Sequence, residues 1–300
     1  MDCRDRGSDG PAAVGLTATL NTTTFEPLAW TVIAYALTRA TLLDDRRALA
    51  WAGVAAGVAM EAKYALPLWL LALGLALGFF PERRLFRYRE LWLGLGLALV
   101  IATPSVIWQA AHGLPFVELV RNAGHKDVAL SPLGFALDVT LTLDPLFAPI
   151  WLAGLIAPFV APDLKAARFL SVAFVLAALT IVAGHGKDYY LAPAFPPLFA
   201  TGGIVIARLL RNAFLRIGYL TAAVTLALLL APLALPILPP GVLVAYERTL
   251  HLSPPQQEKA DAGDALPSMF ADMLGWHDFV RTVGVAFDAL PPGERARTSI

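Results

Sequence analysis

Residues 64–80 read YALPLWLLALGLALGFF and residues 91–110 read LWLGLGLALVIATPSVIWQA, with only PERRLFRYRE (81–90) between them. Neither apolar run carries a charged side chain. A helix crosses a bilayer with about 20 mostly apolar residues, within a range of roughly 17–25, because its backbone polar groups must find their partners inside the segment where no water is available. The two runs therefore read as neighbouring spans closed by an arginine-rich loop. The same pattern recurs along the chain. Residues 145–161, 169–184, 189–207 and 217–238 are also uncharged, and 27–43 qualifies if Arg39 reaches back toward the interface. Residues 48–60 are apolar but short and predict a short or tilted companion helix. Residues 132–143 contain Asp138 and predict a re-entrant or interfacial piece leading into the span at Pro145.

The whole composition agrees. Hydrophobic residues make up 57% and charged residues 15% of the 300, with a mean hydropathy of +0.63, against roughly 25% charged in a soluble domain. The expected fold class is an all-α, polytopic membrane protein. A net charge of zero gives no electrostatic footprint for nucleic acid, and Cys3, the one cysteine, excludes an intrachain disulfide and a cysteine-rich metal site. No His-Glu-x-x-His spacing, nucleophile elbow or dinucleotide fingerprint is present. Gly184-His185-Gly186-Lys187 fails as a phosphate loop, since the glycine spacing is wrong and Asp188 stands where Ser or Thr is required.

Charge placement predicts orientation. If 81–90 faces the cytoplasm, alternation puts 44–48, 162–168 and 207–216 on the same side. Those loops hold eleven Lys and Arg, against four (Lys63, Arg121, Lys126 and Lys187) in the opposite loops 61–63, 111–131 and 185–188. The bias requires 48–60 to cross. Three units follow: a polar segment 1–16, a transmembrane domain 17–238, and a Pro- and charge-richer outer segment 239–300 that begins a small soluble domain. In its last part, 266–290, Trp276 and Phe279 share the apolar side of a helical repeat. Residues 1–15 lack the basic-then-apolar layout of a signal peptide. Residues 17–26 are expected outside with no span before them, so earlier helices are expected to precede this sequence.

Chemistry-bearing residues gather in the outer loops. Glu61-Ala-Lys63-Tyr64 lies between two apolar helices, where Lys63 either pairs with a lipid phosphate or simply snorkels. Trp108-Gln109 and His112 precede a turn at Gly113 and Pro115, then Glu118, Asn122, His125 and Lys126 follow on a short helix. That mixture of donors and acceptors suits a sugar or phosphate, and equally a solvated face of an interfacial helix. His185, Lys187, Asp188, Tyr189 and Tyr190 are packed more densely than an aromatic belt needs. Asp138 lies in apolar sequence, where an acid is a functional candidate, and Asp144 before Pro145 reads as a helix cap.

These clusters, in this order, resemble the bacterial family 39 glycosyltransferases, which are related to protein O-mannosyltransferases and aminoarabinose transferases. The resemblance rests on FEPLAWTVIAYALTR (25–39), WAGVAAGVAMEAKYALPL (51–68), WQAAHGLPFVELVRNAGHK (108–126) and, most specifically, GHGKDYYLAPAFPPLFATGG (184–203). The stretch 266–296 is similar to the start of the outer domain in one bacterial subgroup. It implies a C-type membrane fold in the inner membrane that takes a sugar from a polyprenyl-phosphate donor and passes it to an acceptor: a protein, lipid A or another glycan. It places Lys63, Lys187, Tyr189 and Tyr190 at the donor phosphate or sugar. It implies no nucleotide and no certain cofactor, with a divalent metal left open. The family's catalytic base is an acid in the first outer loop. No matching acid occurs before residue 25, and Glu26 belongs to a later outer segment, so the base is unassigned. A flippase or transporter of a lipid-linked substrate, and a remnant that keeps the fold without activity, stand as alternatives. The lack of an internal repeat and the gathering of polar residues at helix ends favour the transferase.

Overall fold

The computed structural model describes residues 22–128, 130–251 and 265–298. The segment 1–16 and the Pro-rich stretch 252–264 lie outside them. The described chain is helical, joined by 3-10 turns: α1 (Glu26–Leu42), α2 (Arg47–Ala62), α3 (Leu66–Gly78), α4 (Arg89–Ala111), α5 (Pro115–Lys126), α6 (Pro132–Thr142), α7 (Ala148–Val160), α8 (Arg168–Ala183), α9 (Pro196–Leu209), α10 (Ala213–Ala234), α11 (Pro240–Thr249), α12 (Ser268–Ala271), α13 (Trp276–Asp288) and α14 (Pro292–Arg295). It is an all-α membrane protein.

Three segments, Arg89–Ala111, Pro162–Ala183 and Ala213–Ala234, are long and apolar enough to cross a membrane unaided; counting each sharply bent helix pair as one span raises the number to six. Eight crossings were expected from hydropathy. The difference lies in proline and length. The expected span 189–207 is broken, because Asp188–Ala194 forms a 3-10 turn bent 63° from α9. Pro193 lacks the N–H an α-helix would use there, and Pro196-Pro197 can only open a new helix. The expected span 64–80 shortens to the 13 residues of α3 before Pro81–Arg87 turns away by 115°. Helices α1 and α2, at 17 and 16 residues, reach roughly 25 Å at 1.5 Å per residue, at the short end of what a crossing needs. The companion helix expected at 48–60 is present as α2, and α6 meets the segment beginning at Pro145 at 103°, the bend that a re-entrant or broken span requires.

Asp144 caps that bend. Its Oδ1 accepts from the Leu146 N–H at 2.8 Å, and its φ is +82°. Asp144→Ala removes the acceptor and places alanine in a backbone region it disfavours. A loss of about 1–2 kcal/mol is expected, read as a lower thermal midpoint in detergent, with Asp144→Asn retaining most of the stability.

Apolar side chains pack at the centre. Trp30 of α1 stacks on Trp69 of α3 with ring centroids 5.1 Å apart, both rings fully buried. Phe174 and Phe195 meet edge-on at 4.8 Å, with Trp151 against Phe195 at 5.5 Å. Two helix pairs come closer than side chains normally permit. A Cβ on Gly53 of α2 would lie 2.0 Å from the Gly94 carbonyl oxygen of α4, and one on Gly202 of α9 would lie 1.8 Å from the Ile150 carbonyl oxygen of α7. Helices in lipid associate through packing rather than through hydrophobic expulsion from water, so small residues at these crossings supply the contact area. Gly53 and Gly57 face Gly94 and Ala98 in one crossing; Gly154 and Gly202 meet in the other.

Candidate functional site

Helix α1 starts, α2 ends, and the turn 188–194 runs at one end of this bundle. Glu26 is the first residue of α1 and is buried, 5% exposed. Lys63 follows α2 with an extended backbone that takes its side chain off the helix. Its Nζ donates to Glu26 Oε2 at 2.7 Å and to Thr23 Oγ1 at 3.2 Å, and lies 4.9 Å from the centre of the Tyr190 ring. Tyr189 and Tyr190 meet edge-on at 4.7 Å. Two stretches more than 120 residues apart, Glu61–Tyr64 and Lys187–Tyr190, thus share one cluster.

The rest of the cluster is tied down in the same way. Lys187 Nζ stands 3.9 Å from Oδ1 of Asp127, a carboxylate only 2% exposed. Asp188 is buried and accepts from the Thr142 hydroxyl at 2.8 Å. Glu61 accepts from the Ser105 hydroxyl at 2.8 Å. Tyr64 packs on Phe116 at 5.2 Å, and the Phe116 N–H donates to Gln109 Oε1 at 3.1 Å, which fixes the start of α5 beside the Lys63 stretch. An ammonium out of bulk water must be paired, and Lys63 has a carboxylate, a hydroxyl and an aromatic face within reach.

The remaining expected residues are placed differently. His112 is exposed, stacked on Trp108 with centroids 4.4 Å apart, its Nδ1 2.7 Å from the Trp108 carbonyl oxygen. Glu118, Asn122 and Lys126 are exposed on α5, and His185 is exposed with a φ of +54°. The side chain of His125 lies outside the described residues. Asp138 is half-buried on α6. The structure therefore gathers Lys63, Lys187, Asp188, Tyr189 and Tyr190, and leaves His112, Glu118, Asn122 and His185 as surface groups. Among the described residues no cluster of three His, Cys, Asp or Glu side chains is disposed to hold a metal.

Glu26, Thr23, Asp127 and Thr142 join the site as partners that no motif in the sequence singles out. Glu26 carried a signal, an acid at the first position of an otherwise apolar helix. Asp127 stood in a charged run with no mark to separate it from Lys126. Leu114, Asp144 and His185 all hold positive φ; each such non-glycine residue stores of order 1–3 kcal/mol.

Residues 10–108 match the family described as dolichyl-phosphate-mannose-protein mannosyltransferase. That stretch contains α1 to α3, Glu26, Lys63 and most of α4. No curated protein matches the chain, and no solved structure matches it. The matched third of the sequence is similar to a family of membrane glycosyltransferases, and that similarity supports a transferase in the membrane.

Proposed function

We propose that the chain is a membrane glycosyltransferase that takes a sugar from a polyprenyl-phosphate donor and passes it to an acceptor hydroxyl at the outer face of the inner membrane, with Lys63, Lys187, Tyr189 and Tyr190 at the donor. The observation that carries the reading is the approach of Lys63 to Tyr190, which joins the two lysine-bearing loops at one helix end. A lipid-linked sugar presents its phosphate at the membrane interface, where a lysine neutralises it as a point charge and a tyrosine hydroxyl donates to it. Both lysines already sit against carboxylates, Glu26 and Asp127. An arriving phosphate competes with those carboxylates, so affinity reports the difference between two ion pairs and not the full attraction of one.

Transfer breaks the bond between the anomeric carbon and the phosphate oxygen as the acceptor oxygen attacks that carbon. Polyprenyl phosphate departs with the bonding electrons, and the acceptor proton passes to a base. No described residue is assigned as that base. Residues 239–300, with α11 to α14, form the outer segment on this reading, next to the acceptor.

The test is release of polyprenyl phosphate from a radiolabelled polyprenyl-phosphate hexose or pentose by the purified chain in lipid nanodiscs. Turnover that falls at least tenfold in Lys187→Met/Asp127→Asn, which removes both charges of the pair and so leaves no buried carboxylate without its cation, at a thermal midpoint near that of wild type, supports the assignment. Binding of the donor with no release supports a remnant scaffold. Movement of the intact donor between leaflets of a proteoliposome, without cleavage, supports the transporter and overturns the transferase.

A further inference from the structure

The opposite end of the bundle, where α1 turns into α2 and α3 into α4, balances its charges differently. Asp45 is held by Arg39 Nη2 at 2.8 Å. Asp44 accepts from Arg46 Nη2 at 3.2 Å and from the Tyr88 hydroxyl at 3.1 Å, and the Arg46 guanidinium lies 4.1 Å from the Tyr88 ring centre. The hydrogen bonds from Arg46 and then Tyr88 hold the Asp44 carboxyl below its ordinary value, so it stays ionised and committed to those partners. Arg84 donates to the Thr41 carbonyl oxygen at 2.8 Å. Arg47, Arg83, Arg87 and Arg89 remain, all exposed, and none makes a side-chain hydrogen bond or ion pair among the described residues. Only Glu82 and Glu90 stand nearby without an ion-pair partner among the described residues, and both are half-buried. Around Lys63 and Lys187 the protein supplies a carboxylate to each cation; here four exposed guanidinium groups have two carboxylates near them in sequence, and neither is bonded to any of the four.

Apolar groups run beside them. The Pro81–Arg87 turn leaves α3 at 115°. Phe79, Phe86 and Trp92 are exposed, and the Trp92 indole N–H donates to the Phe86 carbonyl oxygen at 2.9 Å, fixing Trp92 next to the turn. Exposed aromatic rings in the same stretch as exposed arginines have the composition of a bilayer surface, where rings sit at the acyl boundary and cations among the phosphates. A guanidinium binds a phosphate through paired N–H donors. On a zwitterionic lipid the headgroup amine already balances that phosphate, so four unbonded arginines against two glutamates, a net excess of positive charge, favour lipids carrying net negative charge.

We propose that Arg47, Arg83, Arg87 and Arg89 form a docking site for anionic phospholipid headgroups, with Phe86 and Trp92 seated at the acyl boundary. The site is independent of the sugar-transfer reading and needs only that the chain lies in a membrane.

The test uses the full chain in an uncharged detergent, titrated with dioleoylphosphatidylglycerol or dioleoylphosphatidylcholine, with the thermal midpoint as readout. Phosphatidylglycerol is expected to raise the midpoint more than phosphatidylcholine at low salt. The preference is expected to shrink at about 1 M salt, where the screening length falls to roughly 3 Å. Each arginine near an anionic surface contributes about fivefold in affinity. Replacing all four by Gln is therefore expected to weaken the phosphatidylglycerol response more than tenfold in midpoint lipid concentration, whereas replacement by Lys keeps most of it. If the four-fold Gln variant does not fold, Arg83→Gln/Arg87→Gln, confined to the exposed turn, is expected to lose part of the preference. Equal stabilisation by the two lipids, or a Gln variant that keeps the full preference, overturns the proposal.

Discussion

Gly202→Val is expected to yield no monodisperse folded protein in detergent, while Gly203→Ala, one residue on, is expected to leave the thermal midpoint unchanged or slightly raised. The contrast follows from which helix face each glycine occupies. A Cβ at 202 would meet the Ile150 carbonyl oxygen at 1.8 Å and the Gly154 backbone nitrogen at 2.9 Å, both parts of the α7 backbone; at 203 nothing lies within 4 Å. A side-chain clash is relieved by a rotamer change. A clash with a helix backbone is relieved only by moving the helix, which opens the whole α7–α9 contact. Overpacking in a core typically costs 1–3 kcal/mol, and separating two helices adds the lost dispersion along their length. Against a total stability of roughly 5–15 kcal/mol, one such substitution removes a large fraction. Gly53→Val is expected to do the same at the α2–α4 crossing, where the clash is with the Gly94 carbonyl oxygen at 2.0 Å, while Gly96→Ala, with open space around it, serves as its control. Size-exclusion profiles and thermal midpoints of the four variants check this. A folded, wild-type-like Gly202→Val would mean that α7 and α9 do not pack as described.

Lys63→Met is expected to destabilise the protein by about 3–5 kcal/mol, because it leaves Glu26 buried without its cation. The double variant Lys63→Met/Glu26→Gln is expected to recover to within about 1 kcal/mol of wild type, since removing both partners leaves no unpaired charge. That pair of variants separates architecture from function. In the stable double variant, polyprenyl phosphate binding is expected to fall by less than the roughly tenfold to hundredfold of a full charge-assisted hydrogen bond worth 1.5–3 kcal/mol, because in the wild type the phosphate gains only the difference between two ion pairs. Thermal midpoints read the first expectation, and titration with polyprenyl phosphate in nanodiscs reads the second. Recovered stability with undiminished affinity would make the Glu26–Lys63 pair purely structural and would move the phosphate toward Lys187. Tyr190 offers a check on the geometry: its ring lies 4.9 Å from Lys63 Nζ, so Tyr190→Leu removes a cation–π contact worth up to about 2 kcal/mol when desolvated without leaving a charge unpaired.

The sequence alone makes this a helical membrane protein. Long uncharged runs such as 91–110 have one stable backbone solution in lipid, and hydrophobicity is a property each residue carries wherever it sits. It also determined the cap at Asp144, because a helix cap is a contact between residues two apart. It marked Lys63, Lys187, Asp188, Tyr189 and Tyr190, each of which stood out as polar against an apolar background. The packing of the helices pairs Lys63 with Glu26 and Lys187 with Asp127, residues 37 and 60 positions apart. Nothing in the local spacing of 61–64 points to the start of α1. The break at Pro193 and Pro196 was written in the sequence, but hydropathy does not distinguish a 3-10 turn of apolar residues from a helix of the same residues. The meaning of the glycines was decided last. Gly202 and Gly203 are adjacent and chemically identical, and only the position of α7 makes one a contact and the other a gap.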